Sequence, residues 1–192
     1  MRTLVLGAGV TGITTAWFLS RAGHDVTVVD RADSIASGTS YANAAQLSYS
    51  FVDSLATPEF LPEIPGLLFG QNAGARVGFD ADMVTWGLRF IAECRRSRSQ
   101  RTTIRLLELA HSSAELLETL LDEVPLEFDY RGAGKTVLLP DTKSVRIAEK
   151  QTKLKRRYGS DVDVLDRDSA LAIEPTLADM DETFEGVIYS AA

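Results

Sequence analysis

Three glycines near the N-terminus have the spacing of a phosphate-binding turn. They form the pattern G-x-G-x-x-G at residues 7–12, directly after the apolar run at residues 3–6. In such a turn the first glycine allows a tight bend, the second lets the backbone approach a pyrophosphate, and the third lets a helix pack closely on a strand. The N–H groups at the start of the following helix would bind the phosphates. The residues expected to contact a dinucleotide are Gly7, Ala8, Gly9, Val10, Thr11 and Gly12.

An acidic residue follows the second predicted strand. The β-branched run at residues 26–29 ends at Asp30, about 20 residues after the glycine turn. A carboxylate there can accept hydrogen bonds from ribose hydroxyls, and it would repel the 2′-phosphate of NADP. Apolar residues at helical spacing lie between the two strands, so the opening segment is predicted to be a βαβ unit. The turn does not distinguish FAD from NAD, because both present adenosine diphosphate to it.

Composition excludes several classes of protein. The chain has 192 residues, 45% of them apolar, and a net charge of −7, which disfavours nucleic acid as a partner. One cysteine and two distant histidines give no reason to expect a disulfide or a metal site. No apolar run is long enough to span a bilayer. We therefore expect a soluble cytoplasmic protein, whose membrane contact, if any, is peripheral and at the inner face of the cell membrane.

A small polar segment follows the acid and carries a family resemblance. By composition alone, SGTSYANAAQ at residues 37–46 would be a linker. Taken together, VLGAGVTGITTAWFLSRAGHDVTVVDR and SGTSYANAAQLS resemble the N-terminus of the FAD-dependent D-amino acid dehydrogenase small-subunit family, within the glycine oxidase and sarcosine oxidase-like group. Residues 134–139 and 172–178 are similar to the same family.

The resemblance implies FAD as the cofactor and adds residues near its diphosphate and flavin. These additional cofactor-binding residues are Arg31, Ser40, Asn43, Ala44, Ala45 and Gln46. Where the family usually has Asn-Ala-Gly, this chain has alanine at position 45. The added methyl group is expected either to crowd the flavin or to require a backbone angle that alanine tolerates poorly.

The resemblance also implies a reaction, with an amino acid as the small-molecule substrate. A D-amino acid would be oxidised at its Cα–N bond, with hydride transfer from Cα to the flavin N5 and hydrolysis of the imino acid in water. No catalytic residue is predicted, because a structural role is favoured for Tyr41, Tyr49 and Arg76, the residues that could face a substrate. Two alternatives stay open: a non-catalytic half of a split flavoprotein, and an NAD-linked dehydrogenase.

The predicted fold class is α/β, with a Rossmann-like FAD-binding βαβ unit and a portion of an α+β substrate domain. Residues 1–50 are assigned to the FAD-binding domain, and residues 51–192 to a helical region and a partial substrate domain. Because the chain corresponds to about the first half of a family member, we expect a fragment or split subunit. A complementary C-terminal polypeptide or a second copy of the chain would then be its partner.

Periodicity predicts the elements of the second region. Residues 52–78 are expected to be irregular, and helices are predicted at 80–96, 104–124 and 142–158, with a Leu-rich face on the second. Strands are predicted at 162–165 and 186–189. The sequence GAGKT at residues 132–136 lacks the first glycine of a P-loop, since Asp129 stands there, and we expect a β-hairpin turn instead. Cys94 is predicted to be a buried, inert thiol.

Two basic runs are predicted to be solvated faces. The first comprises Arg89, Arg95, Arg96, Arg98, Arg101 and Arg105. The second lies at residues 143–157. The alternative for each is contact with anionic lipid headgroups, which would suit a peripheral dehydrogenase that passes electrons to a membrane quinone.

Overall fold

A computed structural model describes residues 1–68 and 80–191. The chain divides into two compact units, Met1–Leu47 and Ser48–Ala192. The division follows Leu47, and the assignment of residues 1–50 and 51–192 to particular domains stays a prediction. Arg76 and part of the predicted irregular segment lie outside the described residues.

The first unit is the predicted βαβ unit. It contains β1 (Arg2–Leu6), α1 (Val10–Arg21) and β2 (Asp25–Val29). The two strands are parallel, with Leu6 opposite Val29 at their carboxyl ends. Two parallel strands require a crossover, and α1 provides it.

The glycine turn brings α1 close to the end of β1. Gly7 has a φ of +108°, which is accessible to glycine at little cost, and its N–H donates to the Val29 carbonyl over 2.7 Å. A Cβ built on Gly12 would overlap the Gly7 carbonyl. The third glycine of the pattern is therefore required by the distance between helix and strand, as the sequence predicts.

One face of the two-stranded sheet has little cover. Leu4, Leu6 and Val29 are 59%, 77% and 47% exposed. Within the first unit, all of which the structure describes, Ala8 is the only fully buried apolar residue. Parallel sheets are normally covered on both faces, so this apolar face is incomplete by itself.

The second unit is α+β, as predicted. Its described helices are a 3₁₀ turn at Pro58–Glu63, α2 (Ile64–Leu68), α3 (Ala81–Glu93), α4 (Arg96–Glu123), α5 (Thr142–Arg157), α6 (Arg167–Ile173) and a 3₁₀ turn at Pro175–Asp179. Its strands are β3 (Lys135–Leu139), β4 (Val162–Asp166) and β5 (Gly186–Ser190), which form an antiparallel sheet in the order β3-β5-β4. Phe184 and Val187 pack with Ala170 and Leu177 in its core.

Aspartate caps begin three of these helices. Asp80, Asp141 and Asp166 accept hydrogen bonds from the backbone N–H groups of Met83, Ser144 and Ser169 at 2.7, 2.7 and 2.9 Å. Each carboxylate satisfies an N–H that has no acceptor inside its helix. These caps explain why α3, α5 and α6 start where they do.

One prediction for the second unit is wrong and one is incomplete. Residues 132–136 do not form a hairpin turn, because β3 pairs with the distant β5. The predicted Leu-rich face of α4 is its buried face, since Leu107 and Ala110 are buried, although Leu109 is 68% exposed. The buried stripe also extends toward the start of the helix through Ser99 and Thr103, which the apolar pattern does not include. Thr103 is buried because its hydroxyl accepts a hydrogen bond from Ser54 N at 3.1 Å, a contact that helical periodicity does not reveal.

Two residues of the second unit, Cys94 and Lys155, are buried. Cys94 is buried, and burial raises the pKa of its thiol, as expected for an unreactive cysteine. The second basic run is not wholly solvated, since Lys155 is only 4% exposed. Among the described residues, no helix is long and apolar enough to cross a membrane.

Candidate functional site

A cleft of about 350 Å³ opens where β1 ends and α1 begins. The predicted residues that line it are Gly7, Gly9, Val10, Thr11, Gly12 and Ser40. Val5, Leu6 and Thr15 also line it and were not predicted. Thr15 lies one helical turn after Thr11, so helical spacing could have identified it. The structure thus brings Ser40 to the glycine turn, although 30 residues of chain separate it from Val10.

The start of α1 offers hydrogen-bond donors to a ligand. Gly9 is the N-cap and has no side chain with which to cap the helix. Ser40 acts in its place, because its hydroxyl oxygen accepts a hydrogen bond from Val10 N at 2.9 Å. First-turn N–H groups have no acceptor within their own helix, and they carry the positive end of the helix dipole. A phosphate group fits this combination of donors.

Asp30 connects the glycine turn to the chain after β2. Its Oδ2 accepts a hydrogen bond from Ala8 N at 2.6 Å, and its Oδ1 accepts one from Ala32 N at 2.8 Å. These backbone hydrogen bonds, first of all the one from Ala8, hold the pKa of Asp30 below its usual range. Each carboxylate oxygen keeps further acceptor capacity for a ribose hydroxyl. Ala8 itself is buried within the glycine turn.

The remaining predicted cofactor residues do not line the cleft. Arg31, Asn43, Ala44, Ala45 and Gln46 are exposed, and none is among the described lining residues. Their contact with a cofactor stays a prediction.

Alanine at position 45 has the unfavourable backbone angle that the sequence comparison anticipates. Its φ is +49°, in the left-handed region that glycine enters most easily. The Asn43 side chain supports this conformation, because its Oδ1 accepts a hydrogen bond from Ala45 N at 2.7 Å. This is the geometry of an Asx turn.

The cleft stays open beside Ser40 because position 9 has no side chain. A Cβ on Gly9 would come 3.1 Å from Ser40 Oγ, so the glycine leaves open the space between turn and hydroxyl. The candidate substrate residues are not brought into this cleft. Tyr41 is 84% exposed, Tyr49 belongs to the second unit, where burial raises its pKa, and Arg76 lies outside the described residues.

Replacing Gly9 by aspartate should abolish dinucleotide binding. The new carboxylate would fill the space beside Ser40 and repel the phosphates. Titration calorimetry with FAD measures the effect, and circular dichroism checks that the fold is kept. Gly66→Asp is the matched control, since a Cβ there meets open space. Binding by Gly9→Asp within about threefold of the parent would contradict the assignment of the turn.

Replacing Asp30 by alanine should weaken FAD binding about tenfold, the effect of losing one charged hydrogen bond. It should also reduce discrimination against NADP, because the charge facing a 2′-phosphate is removed. Because the pKa of Asp30 is lowered, its carboxylate is charged at neutral pH, and its contacts are lost only when the pH falls below the usual titration range of an aspartate. Calorimetry on Asp30→Ala and on the nearby exposed Asp33→Ala measures both effects. Equal affinities in the two variants would show that Asp30 has no role in binding.

Comparison with known proteins shows the family of this chain. The profile of the family described as FAD dependent oxidoreductase matches residues 2–192. The chain is 39% identical to D-amino acid dehydrogenase 2 of Ralstonia nicotianae, over 99% of this chain and 45% of that protein. It is 38% identical to D-amino acid dehydrogenase of Dechloromonas aromatica (93% and 43%) and 34% identical to that of Vibrio cholerae (98% and 45%). The chain spans less than half the length of these relatives, and it belongs to the family of FAD-dependent oxidoreductases.

Proposed function

We propose that this chain supplies the dinucleotide-binding part of an enzyme that oxidises D-amino acids with FAD. One observation carries the proposal: the glycine turn, the start of α1 and Ser40 form a single cleft, with Asp30 bonded to the same turn. Relatives named D-amino acid dehydrogenase support the substrate class. An NAD-linked dehydrogenase would use the same turn, but that function would not explain why Ser40 is hydrogen-bonded to the start of α1.

The residues of the cleft would bind and orient the cofactor. The N–H groups at the start of α1 and the Ser40 hydroxyl would hold the diphosphate, and Asp30 would accept hydrogen bonds from the ribose. Bound FAD would supply the acceptor for the hydride that leaves Cα when the Cα–N bond is oxidised to an imine. Water then hydrolyses the imine to an oxo acid and ammonia. The contribution of the protein is binding and orientation.

We also propose that the first unit acts with a second polypeptide segment. The exposed sheet face at Leu4, Leu6 and Val29 is apolar, and a parallel pair of strands is normally extended and covered by further elements. A C-terminal segment of the kind that completes the longer relatives is the proposed partner. A second copy of the chain is the alternative.

The purified 192-residue chain is expected to self-associate or to bind FAD weakly. Co-expression with the C-terminal half of a family member should restore flavin absorbance near 450 nm and reduction of a dye that depends on a D-amino acid. Size-exclusion chromatography and absorbance spectra measure both. Gly9→Asp, co-expressed in the same way, is the control for a specific cofactor site. A monomeric chain that binds one FAD and is active alone would contradict the need for a partner, and activity with NAD instead of FAD would contradict the proposed cofactor.

A peripheral membrane contact is a second proposal, and α3 is the surface that supports it. Val84, Leu88 and Ile91 are 55%, 66% and 46% exposed and follow one another at helical spacing along α3. Arg101 and Arg105 are exposed on the next helix, and neither has an ion-pair partner in the part of the chain that the structure describes. Exposed apolar residues and exposed basic residues are the two features by which protein surfaces bind anionic membranes.

Vesicle binding tests this proposal. At low salt the chain should cosediment more with phosphatidylglycerol vesicles than with phosphatidylcholine vesicles. The variant Leu88→Ser should bind the phosphatidylglycerol vesicles several-fold more weakly, because it removes apolar area from the surface. Leu109→Ser, an equally exposed leucine on α4, is the matched control. Equal binding to both lipids, or equal loss in the two variants, would contradict a role of α3 in membrane contact.

A further inference from the structure

Two lysines of the second unit share one aromatic ring. Lys135 Nζ lies 4.9 Å and Lys155 Nζ 5.4 Å from the centre of the Phe51 ring. Both distances are within the range in which the face of an aromatic ring attracts a cation. With Ser48 and Asp53, these residues form what we call the Phe51 cluster.

Lys155 is neutralised inside the cluster. Its side chain is 5% exposed, and its ammonium group donates to Asp53 Oδ2 at 2.6 Å. A buried ammonium group is stable only with such a counter-ion. Lys155 and Asp53 therefore have a structural role and hold residues 48–54 against α5.

Lys135 differs from Lys155 because no carboxylate of the described residues pairs with it. It is half-buried at the start of β3, and it donates to Ser48 Oγ at 2.9 Å. Within residues 1–68 and 80–191, no carboxylate lies at ion-pair distance from it. Two ammonium groups and one carboxylate leave the cluster with one uncompensated positive charge, in a chain whose net charge is −7. Partial burial of that charge is costly until an anion joins it.

The cluster is held in place before any ligand binds. Ser50 is buried, and its hydroxyl accepts a hydrogen bond from Ser190 Oγ at 3.2 Å. Ser190 lies opposite Lys135 in the β3–β5 register. Residues 48–53 are thus fixed to the sheet on one side by Ser190 and to α5 on the other by Lys155. Such anchoring lowers the entropy cost of binding a small molecule.

We propose that Lys135 binds the carboxylate of a small organic acid. The ammonium group has three N–H donors, of which one is used by Ser48. The Ser48 hydroxyl accepts that hydrogen bond and can donate its own hydrogen to the same carboxylate. The identity of the acid rests on the proposed function: we assign the carboxylate to the amino-acid substrate.

Saturation-transfer NMR titrations of the 192-residue chain without FAD test the proposal, since the method tolerates self-association. The ligands are propionate, D-alanine and ethylamine, which separate the carboxylate from the amine. Propionate and D-alanine should bind, and ethylamine should not. Lys135→Met, which keeps the apolar stem, should weaken both carboxylates at least tenfold, and Lys135→Arg should restore part of the affinity. Lys150→Met removes the same charge from an exposed position of α5 and should have no effect.

The outcomes distinguish this inference from the proposed function. Equal affinities in the parent chain and Lys135→Met, or equal losses in Lys135→Met and Lys150→Met, would overturn a carboxylate site at Lys135. If Lys135→Met does not fold, Ser48→Ala, which removes the second donor, should weaken propionate severalfold, and no change would overturn the site. Binding of propionate but not of D-alanine would overturn its assignment to the amino-acid substrate. Because no flavin is present, failure of FAD binding leaves these results unaffected.

Discussion

The close approach of α1 to the end of β1 is the constraint on which the first unit depends. The Gly12 backbone lies so near the Gly7 carbonyl that no side chain fits between them. This proximity directs the start of α1 toward the space beyond the strand, where its N–H groups meet Ser40. The same turn binds Asp30 through Ala8, so one steric condition places both the first-turn N–H groups of α1 and the Asp30 carboxylate. A larger residue at position 12 would displace both.

The sequence predicts the first unit well because its determinants are local. Glycine spacing, two β-branched runs and an acid at the end of the second run all lie within about 30 residues. The second unit depends on contacts between distant residues, and there the predictions are incomplete. Thr103 is hydrogen-bonded to Ser54, which lies 49 residues away in the chain. Lys155 pairs with Asp53, which lies 102 residues away. No periodic pattern contains such pairs, so the sequence predicts a solvated lysine at position 155, where the structure has a buried one, and does not predict the burial of Thr103.

The local electrostatics at two places differ from what the net negative charge of the chain suggests. The net charge is −7, yet the two places proposed to bind anions depend on the first-turn N–H groups of α1 and on Lys135, which has no ion-pair partner among the described residues. In the first, backbone N–H groups and a hydroxyl provide the attraction and no cationic side chain is involved. In the second, a single ammonium group provides it. The excess of acidic residues therefore does not argue against binding anionic ligands, since short-range geometry decides there.

Alanine at position 45 has an evolutionary consequence. Its left-handed conformation is supported by the Asn43 side chain, so the two positions are not free to change independently. With glycine at position 45 the turn would form without help, and Asn43 could be replaced at little cost. With alanine there, loss of Asn43 leaves the strained angle unsupported. Substitutions at these sites therefore have an order: a lineage that carries Ala45 must regain the glycine before it can lose the asparagine.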